Sequence, residues 1–133
     1  MSITEPPLAA QSTGQPVVDI FIPYWGDPGY AKETVDSVLA QTSPHWTLTV
    51  VDDAYPGTEL AEYVSGIGDD RVRYHRKVEN EGITENYRTC VAMATRPVTV
   101  LLGCDDRLLP NYVSEILAAH SQFPSAAIIQ PGV

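Results

Sequence analysis

Short apolar runs alternate along this chain with stretches whose apolar residues recur at helical spacing. Val17-Val-Asp-Ile-Phe-Ile22 and Trp46-Thr-Leu-Thr-Val-Val51 are compact and rich in β-branched and aromatic residues, which predicts strands. Val98-Thr-Val-Leu-Leu-Gly-Cys104 is a third such run and ends in Asp105-Asp106. It is continuous rather than alternating, the pattern of a strand buried on both faces. Arg71-Val-Arg-Tyr-His75 is shorter and more polar, which predicts an edge strand, and Ala126-Ala-Ile-Ile-Gln130 predicts a fifth.

Helical spacing fills the gaps. Ala31, Val35, Val38 and Leu39 form one stripe, started by Asp27 as N-cap with Pro28 behind it and closed by Thr42-Ser43-Pro44. Leu60, Val64 and Ile67 mark a short helix that begins near Thr58 and ends at Gly66 and Gly68. Asn80-Glu-Gly82 opens a helix with Ile83, Tyr87, Cys90, Val91 and Ala94 as its buried stripe, and Pro97 ends it. A last helix starts at Leu109-Pro110, with Val113, Ile116 and Leu117 inward. Strands alternating with helices define an α/β unit, a Rossmann-like parallel sheet with helices on both faces. Residues 1–16 lack periodicity and are expected to be a flexible leader, leaving residues 17–133 as one folded domain.

Charge narrows the chemistry. A formal net charge of −9 argues against nucleic-acid binding, which needs clustered Lys and Arg. It also means that any phosphate ligand requires a metal ion or local N–H donors to offset repulsion. The cysteines, Cys90 and Cys104, match neither a disulfide framework nor a zinc spacing, and no secretory signal is present. A cytoplasmic protein is expected, with peripheral membrane contact left open. His45, His75 and His120 have no ligand-like spacing, and Trp25 reads as an exposed loop aromatic.

The candidate chemistry lies in three loops that leave strands at their C-terminal ends: Pro23 to Asp27, Asp52 to Pro56 and Gly103 to Arg107. In a parallel sheet these ends share one edge, so the loops converge on one crevice. Carboxylates there suit a hard divalent cation, Mn2+ or Mg2+, that bridges to a diphosphate. One of Asp105 and Asp106 is expected to hold the metal and the other to accept from a sugar hydroxyl. Asp52 and Asp53 are placed to accept hydrogen bonds from ribose hydroxyls or a base edge.

These residues resemble a known family. Val18-Asp-Ile-Phe-Ile-Pro-Tyr24, Thr34-Val-Asp-Ser-Val-Leu-Ala-Gln41 and Val50-Val-Asp-Asp53 are similar to the opening of family 2 glycosyltransferases. Asn80-Glu-Gly82 and Leu101-Leu-Gly-Cys-Asp-Asp-Arg-Leu-Leu-Pro110 continue the likeness in order. The resemblance implies a GT-A fold whose N-terminal half binds a UDP-, GDP- or dTDP-linked sugar with a divalent metal. By position, Pro23 and Tyr24 would line the nucleotide pocket, and Asp53 or Asp52 would contact base or ribose. Asn80 and Gly82 would shape the loop beside the base. Asp105 and Asp106 match the metal motif, with Asp106 the expected ligand.

The chain departs from the family in two places. Gly103 stands where many members carry a further Asp, and Tyr87-Arg88 stands where many carry Arg-Asn. Inverting members use a downstream Asp or Glu as general base, yet the only carboxylate after Asp106 is Glu115, on an expected helix. The chain therefore reads as a truncated donor-binding portion that lacks the acceptor half, for an acceptor that is a glycan, lipid or small molecule. Such a portion would leave a face for self-association. The competing reading is a receiver-like regulatory α/β domain with an acidic metal pocket. That class needs an acidic pair after the first strand and a late Lys, whereas Pro23-Tyr-Trp25 follows here and no Lys comes after Lys77.

Overall fold

The computed structural model describes residues 17–122. Four parallel strands, β1 (Val18–Tyr24), β2 (Trp46–Asp52), β3 (Val72–Arg76) and β4 (Val98–Leu101), lie in the order β3-β2-β1-β4. Four helices connect or follow them: α1 (Pro28–Leu39), α2 (Glu59–Ser65), α3 (Ile83–Met93) and α4 (Tyr112–Gln122). The expected leader and the expected fifth strand at 126–130 lie outside the described residues. Among the described residues, no helix is long and apolar enough to cross a membrane.

Every residue of β1 and β2 is buried, as expected of central parallel strands, including the polar Asp19, Thr47, Thr49 and Asp52. Even positions of these strands, including Ile20, Ile22, Leu48 and Val50, pack against Val35 and Val38 of α1, Leu60 of α2, and Val113 and Ile116 of α4. Odd positions Phe21 and Val51 face Cys90 of α3. Each such aliphatic side chain contributes about 1.5–3 kcal/mol on burial. The odd face also admits a carboxylate: Asp19 accepts from Thr47 Oγ1 at 2.8 Å and Thr95 N at 3.1 Å. β3 lies at an edge, as its polarity predicts, and Arg71 stacks 3.9 Å over the Trp46 ring.

Two expectations change. The stripe assigned to α3 is turned by about one residue: Ile83 is 74% exposed and Val91 59%, while Asn86 and Cys90 are buried. The reason is that the Val51 carbonyl accepts from Asn86 Nδ2 at 3.0 Å, so an amide takes the place an apolar residue was expected to fill. The run from Val98 to Cys104 is also neither buried on both faces nor strand throughout: β4 is the second edge strand, with Thr99 and Leu101 only half-buried. β4 stops at Leu101, Leu102 N–H still donates to Phe21 O at 2.8 Å, and a turn closed by Asp106 N–H to Gly103 O follows.

The loop that carries Asp105 and Asp106 is docked by α1. Thr34 Oγ1 donates to Cys104 O at 3.1 Å, and Ser37 Oγ accepts from Leu108 N at 3.0 Å. Gln41 bridges both ways, donating to Leu109 O at 2.7 Å and accepting from Val113 N at 2.9 Å. The start of α1 is set as the sequence predicts, with Asp27 Oδ1 accepting from Gly29 N at 2.7 Å.

Candidate functional site

The segments that leave β1, β2, β3 and β4 meet at one edge of the sheet and enclose a crevice of about 560 Å³. One wall is built from Asp53, Asn80, Gly82, Ile83 and Asn86, and the other from Trp25, Tyr30, Gly103, Cys104 and Asp105. Pro23 and Tyr87 also line it. The site residues expected from the sequence divide accordingly. Pro23, Asp53, Asn80, Gly82 and Asp105 border the crevice, whereas Tyr24, Asp52 and Asp106 do not.

Strand alternation separates the two neighbouring aspartates. Asp52 continues the even face and is fully buried. It accepts from Tyr55 N at 2.8 Å, Tyr74 Oη at 2.5 Å and Arg76 Nη1 at 2.9 Å. All of that lies away from the crevice, so Asp52 anchors β3 and the 53–57 turn. Burial, and then this hydrogen bond to Asp52, raise the Tyr74 hydroxyl above the ordinary tyrosine range. Tyr24 is likewise a core residue: its hydroxyl donates to Gly26 O at 3.0 Å, and its ring lies 5.3 Å from that of Tyr55. Burial, ahead of the nearby Tyr55 and Asp52, raises its pKa too.

Asp53 points the other way, and its carboxylate organises the opposite wall. It accepts from Glu81 N and Gly82 N at 2.9 Å each and from Asn80 Nδ2 at 3.0 Å. Lys77 Nζ, nearly buried, stands 3.8 Å from Asp53 and 2.9 Å from Glu81. The loop needs Gly82, whose φ of +95° lies in a region that side-chain-bearing residues rarely adopt. These donors offset the charge of Asp53, which eases the phosphate repulsion that the net charge suggests.

Asp105 and Asp106 converge over Gly103. A Cβ on that glycine would lie 2.8 Å from Asp106 Oδ2 and 3.5 Å from Asp105 Oδ1. A side chain at 103 would therefore require the Asp106 carboxylate to rotate away. Among the described residues, no cluster of three or more His, Cys, Asp or Glu could hold a metal. Two carboxylates over a glycine are oxygen ligands of the kind a hard cation takes.

Sequence reasoning placed the loops that carry Trp25 and Cys104 at the crevice without giving either residue a role, and passed over Tyr30, Ile83 and Asn86 as wall residues. Trp25 follows directly on the β1 exit and packs edge-on to Tyr55 at 5.0 Å, so its place in that loop was the signal. For Asn86 the signal was a polar residue four positions before buried Cys90. Tyr87 carries a raised pKa, caused first by burial and then by Cys104 and Asp106. Arg88 pairs with Glu85 at 2.8 Å on the exposed side of α3.

The crevice lies at the C-terminal edge of a parallel sheet, where open α/β folds hold ligands, with paired carboxylates on one side and an Asn-Glu-Gly loop on the other. The sequence model of glycosyl transferase family 2 matches residues 19–132, and the chain belongs to that family. It is 28% identical over 115 residues to a protein of Escherichia coli (strain K12) provisionally named as the colanic acid biosynthesis glycosyl transferase WcaA. That match covers 86% of this chain and 41% of the relative. An uncharacterized glycosyltransferase of Rickettsia felis is 37% identical over 98 residues, 74% of this chain and 16% of its own. The chain thus spans less than half the length of these curated relatives. In fold it is similar to TarS 1-349 of S. aureus, solved in complex with UDP-GlcNAc. The TM-score is 0.72 at 16% identity, covering 80% of this chain and 31% of that one.

Proposed function

We propose that this domain binds the nucleotide-diphosphate sugar donor of an inverting, metal-dependent glycosyltransferase. The observation that carries the proposal is the pairing of two walls. Asp105, backed by Asp106 over Gly103, faces the loop that Asp53 holds through Asn80, Glu81 and Gly82. The UDP-GlcNAc complex of TarS, a protein of the same fold, supports a donor of that class.

Asp105 and Asp106 are the residues that would hold a divalent cation, Mn2+ or Mg2+, which when bound offsets the charge of the diphosphate leaving group. Asp106 alone lies back from the crevice, so Asp105 is the carboxylate that meets the ligand. The Asn80-Glu-Gly82 loop and Ile83 then border the base or ribose, and Asp53 acts on them by holding that loop in place.

Transfer also needs a general base to take the proton of the acceptor hydroxyl. The crevice carboxylates of the described residues are Asp27, Asp53 and Asp105. Asp27 caps α1, Asp53 holds the loop and Asp105 is assigned to the cation. Glu115 is exposed in the first turn of α4. We therefore place the general base outside the described residues.

Titrating UDP-, GDP- and dTDP-linked sugars with and without Mn2+ tests the proposal. Metal-dependent binding of at least one of them is expected, and Asp105→Asn should remove the metal-dependent part. Absence of metal-dependent binding to all three would overturn it.

A further inference from the structure

Lys77 follows directly on β3, and only 7% of its side chain is exposed. Its backbone N–H donates to Asp52 O at 2.8 Å, and its ammonium lies 2.9 Å from Glu81 Oε1 and 3.8 Å from Asp53 Oδ1. Lysine is seldom this enclosed, because taking an ammonium out of water is costly even when partners repay part of the cost. The loop has other ties: the Asp53 carboxylate also accepts from Asn80 Nδ2, Glu81 N and Gly82 N. What Lys77 adds beyond these is a full positive charge.

That charge stands where the crevice has none of its own. Among the described residues, the carboxylates of Asp27, Asp53 and Asp105 border the crevice, and no Lys or Arg does. Lys77 is the one cation paired with a bordering carboxylate. Other ion-paired cations are spent elsewhere, as Arg88 is on Glu85 and Arg107 on Glu33. Salt screens an enclosed charge less than one in open water, so the field of Lys77 reaches a ligand lying against Asp53. A polyanion gains from that field, and an uncharged ligand does not.

We infer that Lys77 is a positioning and specificity-determining residue of the crevice. Held by Asp53 and Glu81, its ammonium offsets the negative wall and favours a ligand of the nucleoside-diphosphate class over an uncharged one. The inference rests on the donor-binding function proposed above, and assigns part of its charge preference to a residue behind the wall.

Calorimetry of the full-length protein in Mn2+ tests it, with UDP, GDP and dTDP titrated directly and their uncharged nucleosides measured by displacement. Parent, Lys77→Met and Lys77→Arg are compared. For a diphosphate that binds, Lys77→Met should weaken binding about tenfold, while its nucleoside loses less than about threefold. Lys77→Arg, which keeps the charge, should stay within about threefold of the parent. Equal losses for diphosphate and nucleoside would mean that Lys77 only shapes the wall, and would overturn the inference. So would a Lys77→Met protein that binds the diphosphate as the parent does, or a Lys77→Arg protein as weak as Lys77→Met. If no nucleoside diphosphate binds the parent, the donor-binding function falls and this inference with it. Should Lys77→Met fail to fold, Lys77→Gln, which keeps an N–H for Glu81 but no charge, carries the same comparison.

Discussion

Asp53 and Gly82 stand 29 residues apart in the chain and are joined by a 2.9 Å hydrogen bond from the glycine N–H to the aspartate carboxylate. The bond ties the exit of β2 to the start of α3 and so fixes one wall of the crevice.

Removing that carboxylate should therefore open the wall. Asp53→Ala strands two backbone N–H groups and leaves the nearly buried Lys77 with Glu81 alone. A loss of about 3–5 kcal/mol in unfolding free energy is expected, as for breaking a buried ion pair. Denaturant titration measures it, and calorimetry should show nucleotide-sugar binding weakened at least about tenfold. A variant as stable as the parent would show that the loop holds itself.

Gly103→Ala separates stability from metal use. The added Cβ meets Asp106 Oδ2 at 2.8 Å, and that oxygen ends a side chain able to rotate away. Stability should change by less than about 1 kcal/mol, as for most substitutions outside a core. Mn2+-dependent binding should nevertheless fall, because the paired carboxylates no longer converge. Parallel thermal melts and Mn2+ titrations distinguish the two effects.

Ala54 occupies the left-handed region at φ +62°, the one non-glycine residue to do so among those described. Ala54→Gly should relieve a backbone cost of about 1–2 kcal/mol and forfeit about 0.4–1 kcal/mol through the freer unfolded chain. A net gain of roughly 0.5–1 kcal/mol is expected in denaturant unfolding. A loss would mean that the Asp53-to-Tyr55 turn tolerates the conformation without strain.

The Tyr74–Asp52 bond predicts an alkaline limit on stability. The hydroxyl pKa is raised in the folded protein, so the folded state holds its proton where the unfolded state releases it. The stabilisation is present below the ordinary value of 10.0 and declines as pH rises above it. Tyr74→Phe should flatten that decline. At neutral pH it should cost about 1.5–3 kcal/mol, the usual range for a hydrogen bond to a charged group. Unfolding followed from pH 8 upward, by a probe other than tyrosine absorbance, checks both.

Much of this architecture was legible in the residues. Compact runs rich in β-branched and aromatic residues marked β1 and β2, and the Asp27-Pro28 pair marked the start of α1. The crevice was legible as well, since strand exits in a parallel sheet share an edge. Which aspartate of a pair enters it was not. Asp52 and Asp53 are chemically alike, and only strand parity and the positions of Tyr74 and Arg76 decide that the first turns inward. Asn86 was hidden for a related reason. Helical periodicity counts apolar residues, so a buried amide that satisfies a strand carbonyl shifts the stripe without announcing itself. Family likeness placed Tyr24 in the pocket by alignment, but its ring belongs to the core.

The contacts from Thr34, Ser37 and Gln41 to the segment after β4 carry a consequence for anyone who would re-engineer this domain. That segment takes its shape from side chains some seventy positions earlier in the chain. An acidic loop transplanted from a relative would arrive without its mould. Helix α1 with Gln41 just beyond it and the loop after β4 form one structural unit, to be exchanged together or left alone.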